Sequence, residues 1–262
     1  MRLQWSGHSI DVREAGAGPC VVLLHGYPLD GAMWSGVART LAARFRVFKP
    51  DLPGRGENPA RAPSDLEGHA DFVEALVKEL PPPVGLAGFS MGGYVAFALL
   101  RRGPGNLRAL GLVDTRPEAD DEEGKKRRDE AISIVRQAGV AKIAESIVPK
   151  LLAETSLANR DLVDRLRRIV LRQKPETVEA DLAAMRDRKD ATDLLPQIRM
   201  PTLVLVGEHD ALTPPDLSEK MAAAIPGARL VGIPGAGHLT PMERPGAVSA
   251  ALGDFFAGAL AG

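Results

Sequence analysis

The chain has 262 residues, 45% of them apolar and 26% charged, with 33 Lys+Arg against 34 Asp+Glu and a formal net charge of −1. That length suits one large α/β domain with an insertion, and the near-neutral balance gives no footing for nucleic acid or a membrane surface as partner. The single cysteine, Cys20, excludes an internal disulfide framework and a cysteine-rich metal site. No window approaches the ~18 consecutive apolar residues of a spanning helix. Met1 to Asp11 lacks a basic stretch followed by an apolar one, so a cytoplasmic protein is the expectation.

In chain order, Leu3 to Arg13 alternates loosely around Ser6-Gly7 and predicts an N-terminal hairpin. Cys20 to Leu24 is an unbroken apolar run ending at His25-Gly26, the pattern of a strand buried on both faces, in which Cys20 reads as a small buried hydrophobe. Phe45 to Pro50 predicts the next strand, stopped by Asp51-Leu52-Pro53-Gly54-Arg55-Gly56. Leu66 to Leu80 places Phe72, Val73, Leu76, Val77 and Leu80 on one helix face and ends at Pro81-Pro82-Pro83. Val84 to Phe89 reads as a strand, Gly92 to Leu100 as a buried helix and Ala109 to Val113 as a strand. Thr202 to Val206 and Arg229 to Ile233 are the last strands; Leu217 to Ile225 and Ala247 to Leu260 are the last helices. Strands alternating with helices predict the α/β class, with a mostly parallel, doubly wound sheet of about eight strands.

One stretch breaks the alternation. From Thr115 to about Leu195 helical spacing recurs without a strand, first through Ile132, Val135, Ile143 and Ile147, then through Leu162, Val163, Leu166 and Ile169. The chain therefore divides into an α/β core, 1–114 and 196–262, and a helical cap, 115–195, expected to act as a lid over a site. Lys125-Lys126-Arg127-Arg128 follows acidic residues and reads as a solvated helix face.

Gly88-Phe89-Ser90-Met91-Gly92 fits G-x-S-x-G, a weak signal alone. Its setting sharpens it, because an apolar strand precedes and an apolar helix follows, as a nucleophile elbow requires. A serine hydroxyl needs a base. Among the five histidines, His238 lies in a loop after the last strand, at the sheet edge where ligands bind in open α/β folds. His209 is a weaker candidate, and His69 and His8 read as solvent-facing. The acid that holds the imidazole in the accepting tautomer is Asp210, ahead of Asp114 and Glu208, each near the end of a strand. The order Ser90, Asp210, His238 is that of α/β-hydrolases. Backbone N–H groups of Tyr27 and Met91 are placed to form an oxyanion hole. His25 reads as a brace for its loop.

Together, His25-Gly26-Tyr27-Pro28, Asp51 to Gly56, Gly88 to Gly93, Gly207-Glu208-His209-Asp210 and Gly237-His238 make the chain resemble the α/β-hydrolase superfamily from about Val21 to Leu260. Within it, the chain is similar to the carboxylesterase, 3-oxoadipate enol-lactonase-like and cofactor-free haloperoxidase group. The resemblance implies a serine hydrolase that cleaves a small ester or lactone through an acyl-enzyme, with no cofactor and no metal. Serine at the elbow sets it apart from haloalkane dehalogenases, which carry aspartate there. Trp34, Met33, Phe89 and Met91 are candidate pocket neighbours, each with core packing as the alternative. Arg116 is a candidate partner for a substrate carboxylate, with a solvated arginine as the alternative. Perhydrolysis or carbon–carbon cleavage on the same triad is the first rival function, and a ligand receptor signalling through its lid is the second. The sequence leaves the oligomeric state open, a homodimer included.

Overall fold

The computed structural model describes residues 1–261. The N-terminus is the expected hairpin, β1 (Arg2–Trp5) against β2 (His8–Asp11), turned through Ser6 and Gly7 at positive φ. The chain then runs β3 (Arg13–Ala15), β4 (Cys20–Leu24), α1 (Ser35–Leu41), β5 (Arg46–Lys49), α2 (Leu66–Lys78), β6 (Val84–Phe89), α3 (Met91–Leu100) and β7 (Leu107–Val113). Next come α4 (Glu122–Leu151), α5 (Glu154–Leu157), α6 (Arg160–Leu171) and α7 (Pro175–Arg186). The last part is β8 (Thr202–Gly207), α8 (Pro215–Ala224), β9 (Arg229–Ile233), α9 (Thr240–Glu243) and α10 (Pro245–Ala259). None of these helices is long and apolar enough to cross a membrane.

The main sheet has seven strands in the order β3-β5-β4-β6-β7-β8-β9, and all neighbours are parallel except β3 on β5. The hairpin β1-β2 forms a separate two-stranded sheet beside it, and the seven strands agree with the mostly parallel sheet of about eight that the sequence suggests. Arg13 to Ala15 leaves the hairpin and pairs with Val47 to Lys49, covering the edge of β5. Every residue of β4, β6 and β8 is buried, which is why these strands read as continuous apolar runs and not as alternations. Gly85 and Gly88 point to opposite faces of β6; a Cβ on Gly85 would meet Phe256 of α10, and one on Gly88 would meet Gly92 of α3. Helices thus cover both faces.

From β4 the chain crosses to β5 on one side and then to β6 on the other. That reversal is the topological switch point, and ligands bind in open α/β sheets at the carboxyl ends of the strands flanking it. His25 to Tyr27 follow β4 and Ser90 follows β6, so both loops meet at this crevice.

Residues 115–195 contain no strand among the described residues. Asp121 caps α4 by accepting the Gly124 N–H at 2.7 Å, and the helix breaks at Gly139, where φ is 73°. Asn159 caps α6 and Pro175 opens α7. The insertion is tied to the core by polar groups that meet buried carboxylates. Arg172 donates to Asp30 at 2.7 and 2.5 Å, Gln173 Nε2 to Asp30 at 2.9 Å, and Arg55 pairs with Asp181, both side chains wholly buried. His69 also lies there, 3.3 Å from Asp181 and fully buried, which corrects its reading as solvent-facing. His69, Phe72, Val73 and Leu76 share one helix stripe, and the insertion, through Asp181 of α7, roofs the first turn of it.

Candidate active site

Ser90 joins β6 to α3 with φ 50° and ψ −116°. A non-glycine residue there stores about 1–3 kcal/mol of strain, so the surrounding structure must hold it. Ser90 N–H donates to Val113 O at 2.9 Å, and Thr115 Oγ1 donates to Ser90 O at 2.8 Å. Neither glycine of the motif has room for a side chain: a Cβ on Gly88 would lie 2.4 Å from Gly92 O, and one on Gly92 would lie 2.7 Å from Leu24 O. Glycine at both positions lets α3 close on β4 and β6, so that the Ser90 side chain stands at the helix N-terminus.

The three residues far apart in sequence converge. Ser90 Oγ lies 3.0 Å from His238 Nε2, and His238 Nδ1 lies 2.8 Å from Asp210 Oδ2. His238 and Asp210 are buried. Burial pushes the Asp210 carboxyl up, but the His238 charge and the bonds from His238 and Thr213 outweigh it and hold the acid below its ordinary range. Leu212 and Thr213 N–H donate to its Oδ1 at 2.8 and 2.9 Å, and Thr213 Oγ1 donates to Oδ2 at 2.6 Å. An ionised Asp210 accepts a hydrogen bond from Nδ1–H, which keeps the proton on Nδ1 and leaves the Nε2 lone pair for the Ser90 hydroxyl. Thr213 escaped the sequence reading, although a hydroxyl three residues after a carboxylate is a known local bonding pattern.

Asp114, the alternative acid, is fully buried and points elsewhere. Its Oδ1 accepts Gly207 N–H at 2.9 Å, and its Oδ2 shares a hydrogen bond with the Thr240 hydroxyl. Glu208 is 59% exposed and accepts Gly235 N–H, and His209 is 55% exposed. His25 is buried; its Nε2 accepts Leu52 N–H at 3.0 Å and its Nδ1 donates to Gly26 O at 3.1 Å, so it ties the β4 and β5 loops together. Burial lowers its pKa and keeps it neutral in that role.

Tyr27 and Met91 N–H have no acceptor among the described residues. A Cβ on Gly26 would lie 3.0 Å from Ser90 Cβ, which puts the Tyr27 amide beside the serine. Two undonated N–H groups at this point suit a developing oxyanion.

A cavity of about 350 Å³ opens over Ser90 and His238, within the usual range for small-molecule sites. The core lends Tyr27, Tyr94 and Thr213 to its wall, and the insertion lends Ile143, Ile147, Leu151, Leu182 and Met185. Arg116 lines it as well, paired with Asp120 at 2.8 Å and 27% exposed. Arg127 and Arg128 also face the cavity, so that half of the basic run read as a solvated helix face is wall. Trp34 and Phe89, expected as pocket neighbours, are not in the wall. Both are fully buried, as are Met33 and Met91. The Phe89 ring packs 5.1 Å from the His238 ring, and Trp34 meets Phe89 edge-on at 6.4 Å, so the two aromatics support the imidazole from behind. The aliphatic residues of the insertion suggest an acyl pocket as a group, but the sequence does not say which of them line it, nor that Tyr94, one helical turn after Ser90, does, because periodicity gives the buried face of a helix and not what that face covers.

Comparison with known proteins agrees with this architecture. Residues 19–245 match the family model described as alpha/beta hydrolase fold. A thermophilic esterase from Thermogutta terrifontis, solved with malate bound, superposes with a TM-score of 0.93 at 38% identity, covering 99% of this chain and 98% of that one. The enol-lactonase from Burkholderia xenovorans LB400 superposes at 0.89 with 25% identity, covering 98% of this chain and 100% of its own. The pimeloyl-[acyl-carrier protein] methyl ester esterase of Chromobacterium violaceum is 32% identical over 87% of this chain and 90% of its own. With the sheet order, the elbow after β6 and a family match over most of its length, the chain belongs to the α/β-hydrolase family.

Proposed function

We propose that the protein is a carboxylic ester hydrolase working through Ser90, His238 and Asp210, with residues 115–195 as the lid. The observation that carries this reading is the unbroken hydrogen-bonded line from Ser90 Oγ through both nitrogens of His238 to Asp210. His238 Nε2 takes the serine proton as Oγ attacks the ester carbonyl. The oxyanion forms against Tyr27 and Met91 N–H, where one such donor contributes about 2.7–4 kcal/mol. Asp210 stabilises the imidazolium. His238 then protonates the departing alkoxide, and the same imidazole activates a water that releases the acid from Ser90. Ile143, Ile147, Leu151 and Met185 give the acyl chain an aliphatic wall. The esterase and methyl ester esterase names of similar proteins support an ester as the cleaved bond, and the enol-lactonase fits the same chemistry on a cyclic ester.

Ser90→Ala tests the reading. Hydrolysis of a p-nitrophenyl ester drops by about 10⁶ in kcat if the three residues act as a unit. A variant that retains most of its activity contradicts it.

A further inference from the structure

The cavity wall holds more positive charge than its own carboxylates balance. Arg116, Arg127, Arg128 and Lys150 line it, against Asp120 alone. The Asp120 side chain is 2% exposed and sits among three guanidinium groups: Arg116 Nη2 at 2.8 Å, Arg128 Nε at 3.0 Å and Arg188 Nη1 at 2.8 Å. Burial pushes its carboxyl up, but Arg128 and Arg188 outweigh that and keep it ionised.

The three arginines are not equivalent. Arg188 is committed to the fold: it is 2% exposed, donates to Glu118 O at 3.0 and 2.7 Å and to Met185 O at 2.8 Å, and lies 4.3 Å over the Tyr94 ring. Arg116 and Arg128 each give Asp120 one nitrogen, and the remaining N–H groups of both meet no carboxylate among the described residues. Their side chains stay 27% and 25% exposed, and both line the cavity. Glu118 acts on Arg116 by its charge but stands outside the wall. Three guanidinium groups around one carboxylate leave a surplus of positive charge beside Ile143, Ile147 and Leu151, where low polarity strengthens attraction to an anion. Arg116 is also fixed close to the chemistry, since its neighbour Thr115 holds the Ser90 carbonyl. Arg116 also bonds the Tyr94 hydroxyl, and a planar fork whose other N–H groups meet no carboxylate matches a carboxylate on the substrate.

We infer that the site selects esters whose aliphatic acyl chain ends in a carboxylate, and that Arg116 and Arg128 receive that carboxylate. This rests on the ester-hydrolase reading and narrows it to half-esters of dicarboxylic acids. Lys150, on the same wall, draws the anion in from solvent, whereas Arg127 is paired with Glu123 at 3.7 Å.

The test compares monomethyl adipate with methyl hexanoate, equal in acyl length and different in charge. In the wild type kcat/KM favours the half-ester by about tenfold or more, and added salt shrinks the ratio. Arg116→Gln together with Arg128→Gln brings the ratio close to one, chiefly through KM of the half-ester. Arg116→Lys keeps part of it, because the charge survives and the fork does not. Arg136→Gln, on an arginine that pairs with Glu179 outside the wall, leaves the ratio in place. A wild-type ratio at or below one, with Ser90-dependent turnover of both esters, overturns the inference and spares the ester-hydrolase reading. Binding decides independently of turnover: Ser90→Ala binds monomethyl adipate more tightly than methyl hexanoate in calorimetry. Equal binding overturns the inference even if no ester is hydrolysed.

Discussion

Asp114 and Asp210 follow the adjacent strands β7 and β8, yet their surroundings shift their acidities in opposite directions. Asp210 is held ionised by His238 and Thr213. Asp114 is raised well above the usual carboxylate range, by burial first and then by the Asp210 charge. A carboxyl whose folded pKa is raised gives its full stabilisation below its unfolded value near 3.9, and loses it as pH rises through the folded value. Asparagine keeps both bonds of Asp114, to Gly207 N–H and to the Thr240 hydroxyl, tolerates its φ of 46° and has no proton to lose. Asp114→Asn therefore retains esterase activity, and its Tm relative to the wild type improves from pH 4 to pH 8. Asp210→Asn lowers kcat by about 10⁴ through the wrong imidazole tautomer. Thermal melts across pH, with p-nitrophenyl ester kinetics on both variants, check the pair; the reverse pattern assigns the acid to Asp114. Ser90 and His238 were legible because glycine-rich motifs place them at strand ends. The choice between two strand-end aspartates was harder to read, because it depends on Thr213 and Thr240, whose hydroxyls reach the acids only in the folded chain.

At the scale of elements, the insertion and the loop of His238 are one mechanical unit. Glu243 at the end of α9 accepts Gly237 N–H through Oε1 and Ala153 N–H through Oε2, both at 2.9 Å, and Leu239 N–H donates to Leu151 O at 2.8 Å. A Cβ on Gly237 would sit 2.4 Å from Ala153 N, so only glycine lets α4 and the histidine loop approach this closely. Glu243→Ala leaves two buried N–H groups without their charged acceptor and costs about 3 kcal/mol. Denaturant unfolding reads that loss, and kcat falls with it because His238 is the next residue along. A variant with unchanged stability shows that the two segments are not joined there. The helical nature of 115–195 was legible from the spacing of Ile132, Val135, Ile143 and Ile147. Its break at Gly139 and its stitching to Glu243 were not, since no local pattern distinguishes a glutamate that caps its own helix from one that grips two backbone amides of other segments.

At the scale of the whole molecule, the strand order explains why residues 27, 90, 210 and 238 meet at all. Each lies in a loop beyond a strand carboxyl end, and the reversal between β5 and β6 opens the crevice that they share. The alternation of apolar runs and helical stripes was enough to read the core, because strands buried on both faces leave few alternatives. The edge strand Arg13–Ala15 was missed because it is short, polar and held by pairing alone. Trp34 and Phe89 stayed open between pocket and core because sequence does not tell which face of a layer a buried aromatic joins. The most direct measurement is labelling with a fluorophosphonate, followed by mass mapping of the modified peptide. The account predicts one adduct, on the hydroxyl of Ser90, absent from Ser90→Ala and slowed in His238→Ala. A stoichiometric adduct on another residue, or undiminished labelling of Ser90→Ala, contradicts it.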